Sequence, residues 1–272
     1  MPDSVSTGQE TLPLAERSYA DLPGHWLLAR LGKRVLRPGG VELTGRLLAA
    51  ARIEGADVVE LGPGLGRTAD DIVALRPRSY VGVDDTAAAT EAVRRIVAPV
   101  KGTVVLADAA ETGLRSAGVD VVVGEAMLTM QGDKAKRAIV AEAFRVLRPG
   151  GRYAIHELGL TPDSMPQAAK DDVRRNMARA IKVNARPLTV AEWAQLLTEV
   201  GFEIASVDTA PMALLNPARV LADEGPAGTL RILGNLVRSR AARRRVIGMR
   251  RTFFRHRRSL TAVAVVGVVP RT

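Results

Sequence analysis

Val58-Val59-Glu60-Leu61-Gly62-Pro63-Gly64-Leu65-Gly66-Arg67-Thr68 runs from four mostly apolar residues into three glycines spaced two apart. The first four predict a short buried strand. The glycines predict a tight turn whose backbone can approach a ligand with no Cβ in the way, feeding a helix whose N-terminus faces that ligand. A nucleotide-like cofactor is the expected occupant. The third glycine arrives one residue earlier than in the dinucleotide-binding G-x-G-x-x-G turn, which disfavours a nicotinamide cofactor and, with it, an NAD(P)-dependent oxidoreductase.

Working outward, Tyr80-Val81-Gly82-Val83 predicts a second strand ending in Asp84-Asp85, where an acid can accept hydrogen bonds from ribose hydroxyls; Asp84 is the first choice and Asp85 the second. A third strand, Thr103 to Ala107, ends in Asp108-Ala109. Each acid could instead cap a following helix, but their recurrence at successive strand ends favours a binding role. Val119 to Gly124 predicts strand four, Lys134 to Leu147 an amphipathic helix, and Arg152 to Leu158 strand five, with Arg148-Pro149-Gly150-Gly151 as the stop between them. A helix over Leu188 to Val200, a strand over Phe202 to Thr209 and a last strand over Thr261 to Val269 complete the alternation.

With Glu60 two residues before the first glycine, this loop resembles that of class I S-adenosylmethionine-dependent methyltransferases. The phrase Val146-Leu147-Arg148-Pro149-Gly150-Gly151 resembles the branch that includes ubiquinone and menaquinone biosynthesis enzymes. The resemblance spans about Val41 to Pro270. It implies an α/β Rossmann-like fold: a seven-stranded, mostly parallel sheet with helices on both faces and a final antiparallel strand. It also implies S-adenosyl-L-methionine held by Glu60, Gly62, Gly64, Gly66, Asp84 and Asp108, with Asp108-Ala109 at the adenine. In this family, helices before the first strand cover the cofactor, and an insertion after strand five shapes the acceptor pocket.

The chain has 272 residues, 47% of them hydrophobic, enough for one elaborated α/β domain over residues 41–272. Residues 1–40 read as a flexible tail, Met1 to Arg17, followed by a capping helix over Asp21 to Leu36, stopped by Pro38-Gly39-Gly40. The tail lacks the pattern of a secretory signal, and no apolar run is long enough to span a bilayer, so a cytoplasmic protein is expected. The insertion covers 159–187, where Met165 and Met177 could line an apolar pocket. The chain has no cysteine, and His25, His156 and His256 form no paired motif, so disulfides, thiolate chemistry and a metal site are not expected.

Charge is lopsided. From Gly225 to Thr272 there are twelve arginines and no acid, so the rest of the chain carries 10 − 12 = −2 of the net +10. Most of them fall on a helix expected over 238–258, whose apolar face would be Ala242, Val246, Met249, Phe253 and His256. That face predicts packing on the sheet with a solvated outer side; the functional alternatives are contact with an anionic membrane, with a nucleic acid, or with an acidic substrate entering nearby. With nine aromatic residues in the chain, nucleic acid is the weaker expectation.

Methyl transfer from a sulfonium is an in-line displacement, needing alignment and, for a hydroxyl acceptor, a base. His156, late in strand five, is the leading general-base candidate, and Glu125, after strand four, the second. The competing readings are a hydrogen-bonded packing histidine and a glutamate that orients the loop at Met127. Gly124-Glu125-Ala126-Met127 departs from the Asn/Asp-Pro-Pro-aromatic motif of enzymes that methylate nucleobase amino groups, which points to a small organic or lipid-like acceptor. The alternatives are the oxidoreductase and a non-catalytic cofactor-binding protein that engages a membrane or an anionic partner through its arginines.

Overall fold

The computed structural model describes residues 16–271, so most of the expected tail at 1–17 lies outside the described residues. Helices α1 (Gly24–Arg30) and α2 (Gly40–Ala51) precede β1 (Asp57–Leu61), α3 (Arg67–Ala74), β2 (Ser79–Asp84), α4 (Ala87–Val97) and β3 (Thr103–Leu106). The second half runs β4 (Val119–Glu125), α5 (Asp133–Val146), β5 (Leu147–Leu160), α6 (Gln167–Ile181), β6 (Leu188–Thr189) and α7 (Val190–Thr198). It closes with β7 (Glu203–Pro211), α8 (Pro217–Arg238), α9 (Arg240–Arg255) and β8 (Leu260–Val268). The strand order is β3-β2-β1-β4-β5-β8-β7, with β6 beside the end of β5. Among the described residues only β8 runs against the others, pairing antiparallel with both β5 and β7. The order reverses between β1 and β4, and in such sheets the crevice beyond the carboxyl ends at that point takes the ligand.

Strand parity decides what faces what. Val58, Val121, Val123, Ala154 and Ala264 pack under α2, α3 and α4, with Leu43, Leu47, Ile72 and Val93. Glu60, Glu125 and His156 share that parity and project to the same face. Val59, Val122, Tyr153, Ile155 and Val265 pack against α5 and α7, with Ile139, Val140 and Trp193. Glu157 belongs to this second face.

Several expectations need correction. The expected mostly parallel sheet of seven strands with a last antiparallel one is present, and among the described residues Leu188–Thr189 adds a short eighth strand beside β5 before α7 begins. Thr189 then caps that helix in a reciprocal box with Glu192. The helix expected over Asp21 to Leu36 stops at Arg30. Gly32, at φ +98°, breaks it, and the amides of Arg34 and Val35 donate to the Glu224 carboxylate, each at 2.9 Å, in place of a helical carbonyl. Pro38-Gly39-Gly40 does not end a helix but leads into α2, an element absent from the sequence reading. Helix α8 is likewise additional; Gly225, at φ 68° and ψ 176°, kinks it in two.

Candidate active site

A cavity of about 540 Å³ opens at the carboxyl ends of β1–β4, within the usual range for small-molecule sites. One side is polar: Glu60, Gly62, Gly64, Asp84, Asp85, Asp108, Ala109 and Glu125 come from the strand ends, and Arg37 from the segment before α2. The other side is apolar. It is built by Trp26 and Leu28 of α1, Leu158 of β5, Met177 and Ile181 of α6, Met212 and Leu214 after β7, and Met249 and Phe253 of α9.

The glycines divide into two jobs. Gly62 (φ +64°) and Gly64 (φ +54°) line the cavity, and a Cβ on Gly64 would meet nothing closer than 3.9 Å, so their missing side chains leave room for a ligand. Gly66, expected at the cofactor, does not line the cavity; a Cβ there would sit 2.4 Å from Ile96 Cδ1, so this glycine lets α4 pack against the turn. Asp84 clamps the turn: its carboxylate accepts from the Gly64 amide at 3.0 Å and the Thr86 amide at 2.9 Å. Burial raises its pKa, against those two bonds. Asp85 is exposed at the rim. Asp108 accepts from the Ala110 amide at 2.8 Å, and it shares the cavity wall with Ala109.

Glu60 and Glu125 sit side by side in charge terms and are driven apart. Glu60 accepts a 2.6 Å bond from the Tyr80 hydroxyl, but its burial dominates and pushes its pKa up to about 8, with the Glu125 charge adding to the rise. For Glu125, burial is opposed by Arg37, whose Nη1 lies 3.2 Å from Oε2, and by bonds from His156 and Thr44. Together these hold it at about 2. Thr68 Oγ1 also donates to Glu125. Two neighbouring carboxyls are thereby set, one protonated and one charged, near neutrality.

His156 does not reach the cavity. It is 0% exposed; its Nε2 accepts from the Gly39 amide at 3.1 Å, and its Nδ1 lies 2.8 Å from Glu125 Oε1. The accepted bond leaves the proton on Nδ1, so the ring donates to Glu125 and no nitrogen is left for a substrate. The general-base expectation for His156 is therefore corrected: α2 covers the end of β5 and turns this histidine into a buttress. Glu125 does line the cavity, flanked by Arg37 and Thr68.

Glu157, on the opposite face, organises the loop after β4. It accepts from the amides of Met127, Leu128 and Thr129 at 3.0, 2.7 and 3.0 Å and from the Thr129 hydroxyl at 2.7 Å. Ala126, at φ +54°, turns the chain into this loop. Met127, Thr129 and Met130 thereby become cavity wall. Met177 lines the cavity as well, whereas Met165 packs into a core cluster beneath α6.

Three site residues escaped the sequence reading. Arg37 is buried between Glu125 and Asp71, bonds Asp71 at 2.8 Å, and has no hydrogen-bond partner on Nη1. Arg67 pairs with the same Asp71 at 2.9 Å. His25, on α1, lines the cavity against Trp26, their rings 4.9 Å apart, and its imidazole makes no hydrogen bond among the described residues. Burial lowers its pKa to about 4, so it is neutral at pH 7. An arginine in an amphipathic segment or a histidine after Pro-Gly carries no signal until the segment is folded over the strand ends.

Comparisons with known proteins agree with this architecture. Residues 58–151 match the family model of a methyltransferase domain. A probable S-adenosylmethionine-dependent methyltransferase of Mycolicibacterium smegmatis is 34% identical over 199 residues, which cover 73% of this chain and 65% of that relative, a little under two thirds of its length. An uncharacterized protein of Haemophilus influenzae is 35% identical over 224 residues, 80% of this chain and 87% of the relative. The S-adenosylmethionine-dependent methyltransferase of Thiobacillus denitrificans, crystallised with S-adenosyl-L-homocysteine, superposes with a TM-score of 0.63 at 18% identity over 92% of this chain and 99% of that one. Residues 58–151 belong to a methyltransferase domain family, within a chain whose fold is that of the S-adenosylmethionine-dependent methyltransferases. A methyltransferase domain takes a methyl donor, which sets aside the nicotinamide alternative.

Proposed function

We propose that this protein transfers a methyl group from S-adenosylmethionine to a small, largely apolar acceptor. The observation that carries the reading is the two-sided cavity: acids and open glycines from the strand ends on one side, and an apolar wall from α1, α6 and α9 on the other. When bound, the cofactor supplies an electrophilic methyl on a sulfonium. The residues present fit such a group. Gly62 and Gly64 offer backbone without side chains, Asp84 and Asp85 accept from ribose hydroxyls, and Asp108 with Ala109 frames the adenine. Arg37, whose Nη1 makes no hydrogen bond although it lies 3.2 Å from Glu125, suits the donor's carboxylate, and Glu60, which would ionise beside a cation, suits its ammonium group together with the charged Glu125.

The chain's task is alignment and exclusion of water, since an in-line displacement needs no protein nucleophile. His156 positions Glu125. His25, neutral and without a protein partner on the apolar side, is the group that orients the acceptor by a hydrogen bond. The likeness of Val146–Gly151 to the quinone-biosynthesis branch adds little about the acceptor, because that phrase opens β5, at the end of the strand remote from the cavity.

The reading is tested by labelled methyl transfer to a panel of phenols, amines and fatty acids, with Met177→Lys as the probe. A charged side chain in the apolar wall should abolish transfer while S-adenosylhomocysteine affinity persists. Equal loss of S-adenosylhomocysteine binding would assign that wall to the donor instead.

A further inference from the structure

We infer that the α8–α9 arm docks this protein on an anionic lipid surface. Among the described residues nine large hydrophobic side chains are exposed, and six of them fall between 221 and 254, so the apolar exposure is concentrated on this arm. After the Gly225 kink, α8 presents Leu230, Leu233 and Val237, 69, 52 and 73% exposed. Their spacing of three and four puts them on one helical face. Helix α9 adds Ile247 and Phe254, 44 and 65% exposed and two turns apart.

Arginines surround Ile247 on α9. At 3.6 residues per turn, Arg240, Arg243, Arg244, Arg250, Arg251 and Arg255 all fall within about 80° of Ile247 on the α9 wheel. All six are exposed, and none makes an ion pair among the described residues. No acid follows Glu224 in the chain. A merely solvated helix face has little use for three exposed aliphatic residues on α8, and unbridged like charges on α9 repel one another unless an anionic surface neutralises them. Basic residues with large apolar ones on an exposed helical face match a bilayer interface, where arginines meet headgroups and leucines enter the acyl boundary. Nucleic acid would satisfy the arginines but not Leu230, Leu233 and Val237. A second copy would have to bring two strongly positive faces together.

The opposite face of α9 carries Met249 and Phe253, which line the cavity. The arm therefore stands between the proposed lipid surface and the apolar side of the site. The docking itself does not rest on the identity of the acceptor.

The test is cosedimentation of the full chain with phosphatidylcholine vesicles containing increasing phosphatidylglycerol. Binding should rise with the anionic fraction and fall with salt. Arg243→Gln, Arg244→Gln and Arg250→Gln together should weaken it by on the order of 100-fold, at about fivefold per arginine near such a surface. Leu230→Ser, Leu233→Ser and Val237→Ser should weaken it further in high salt. S-adenosylhomocysteine affinity, measured in parallel, should be unchanged in both variants, which separates this inference from the methyl-transfer reading. No binding to anionic vesicles at low salt, an affinity indifferent to the α8 substitutions, or a preference for RNA over vesicles would overturn it.

Discussion

Replacing Glu60 with glutamine should change the pH dependence of stability in a way that can be worked from the structure. Glu60 is buried and raised from an ordinary 4.5 to about 8. The native state therefore keeps a proton that the unfolded chain releases, and stability falls as pH rises through the window between those two values. Linkage over pH 5 to 9 makes that loss about 4 kcal/mol for this one group, with roughly 2.5 kcal/mol of it above pH 6. Glutamine is close to isosteric with the protonated acid and can still accept the Tyr80 hydroxyl, but it has no proton to lose. Urea unfolding of both proteins at pH 5, 6, 7, 8 and 9 measures the difference directly. The gap should open steadily in favour of Glu60→Gln as pH rises. Parallel profiles, or a gap that closes with rising pH, would refute the argument that burial holds this carboxyl neutral.

His156→Ala should cost roughly 2–4 kcal/mol of stability, since it empties a packed site and strips partners from Glu125 and the Gly39 amide. Wild-type stability with turnover wholly lost would instead return His156 to the role of base. Glu157→Gln places an amide group against the donors of the β4–α5 loop and should cost about 1–3 kcal/mol, with a raised KM for the acceptor as that wall loosens; an unchanged KM would show that the loop holds without it. Gly66→Val should destabilise through both its φ of +74° and the 2.4 Å approach to Ile96, and pairing it with Ile96→Ala should recover the steric part. Failure of the pair to recover anything would place the whole cost in the backbone.

Much of the fold was legible because its signals are local. The valine runs mark β1, β2 and β4, the strand-end acids mark their carboxyl ends, and the glycine spacing marks the turn that admits a ligand. What escaped were features decided across the chain. Helix α2 begins where Pro38-Gly39-Gly40 looks like a stop, and only its packing over β5 reveals that His156 is sealed from the cavity. Parity would have put His156 and Glu125 on one face, but not said what covers them. Arg37 and His25 gain their meaning from a segment fastened by Glu224, some 190 positions away in sequence. Gly66 and its two neighbours look alike in the sequence; the side chain of Ile96 is what separates packing from binding.

The central claim is that the cavity at Gly62–Gly64 and Asp84 holds the methyl donor. Calorimetric titration of S-adenosylhomocysteine into the wild-type chain and into Gly64→Val tests it most directly. The valine adds only about 1–2 kcal/mol of backbone cost at a positive φ, while its side chain enters the ligand's space. Saturable one-to-one binding by the wild type, loss of it in a folded Gly64→Val protein, and no heat from a nicotinamide dinucleotide are the predicted results. Equal S-adenosylhomocysteine affinity in the two proteins would contradict the assigned site, and binding of the dinucleotide in its place would contradict the donor.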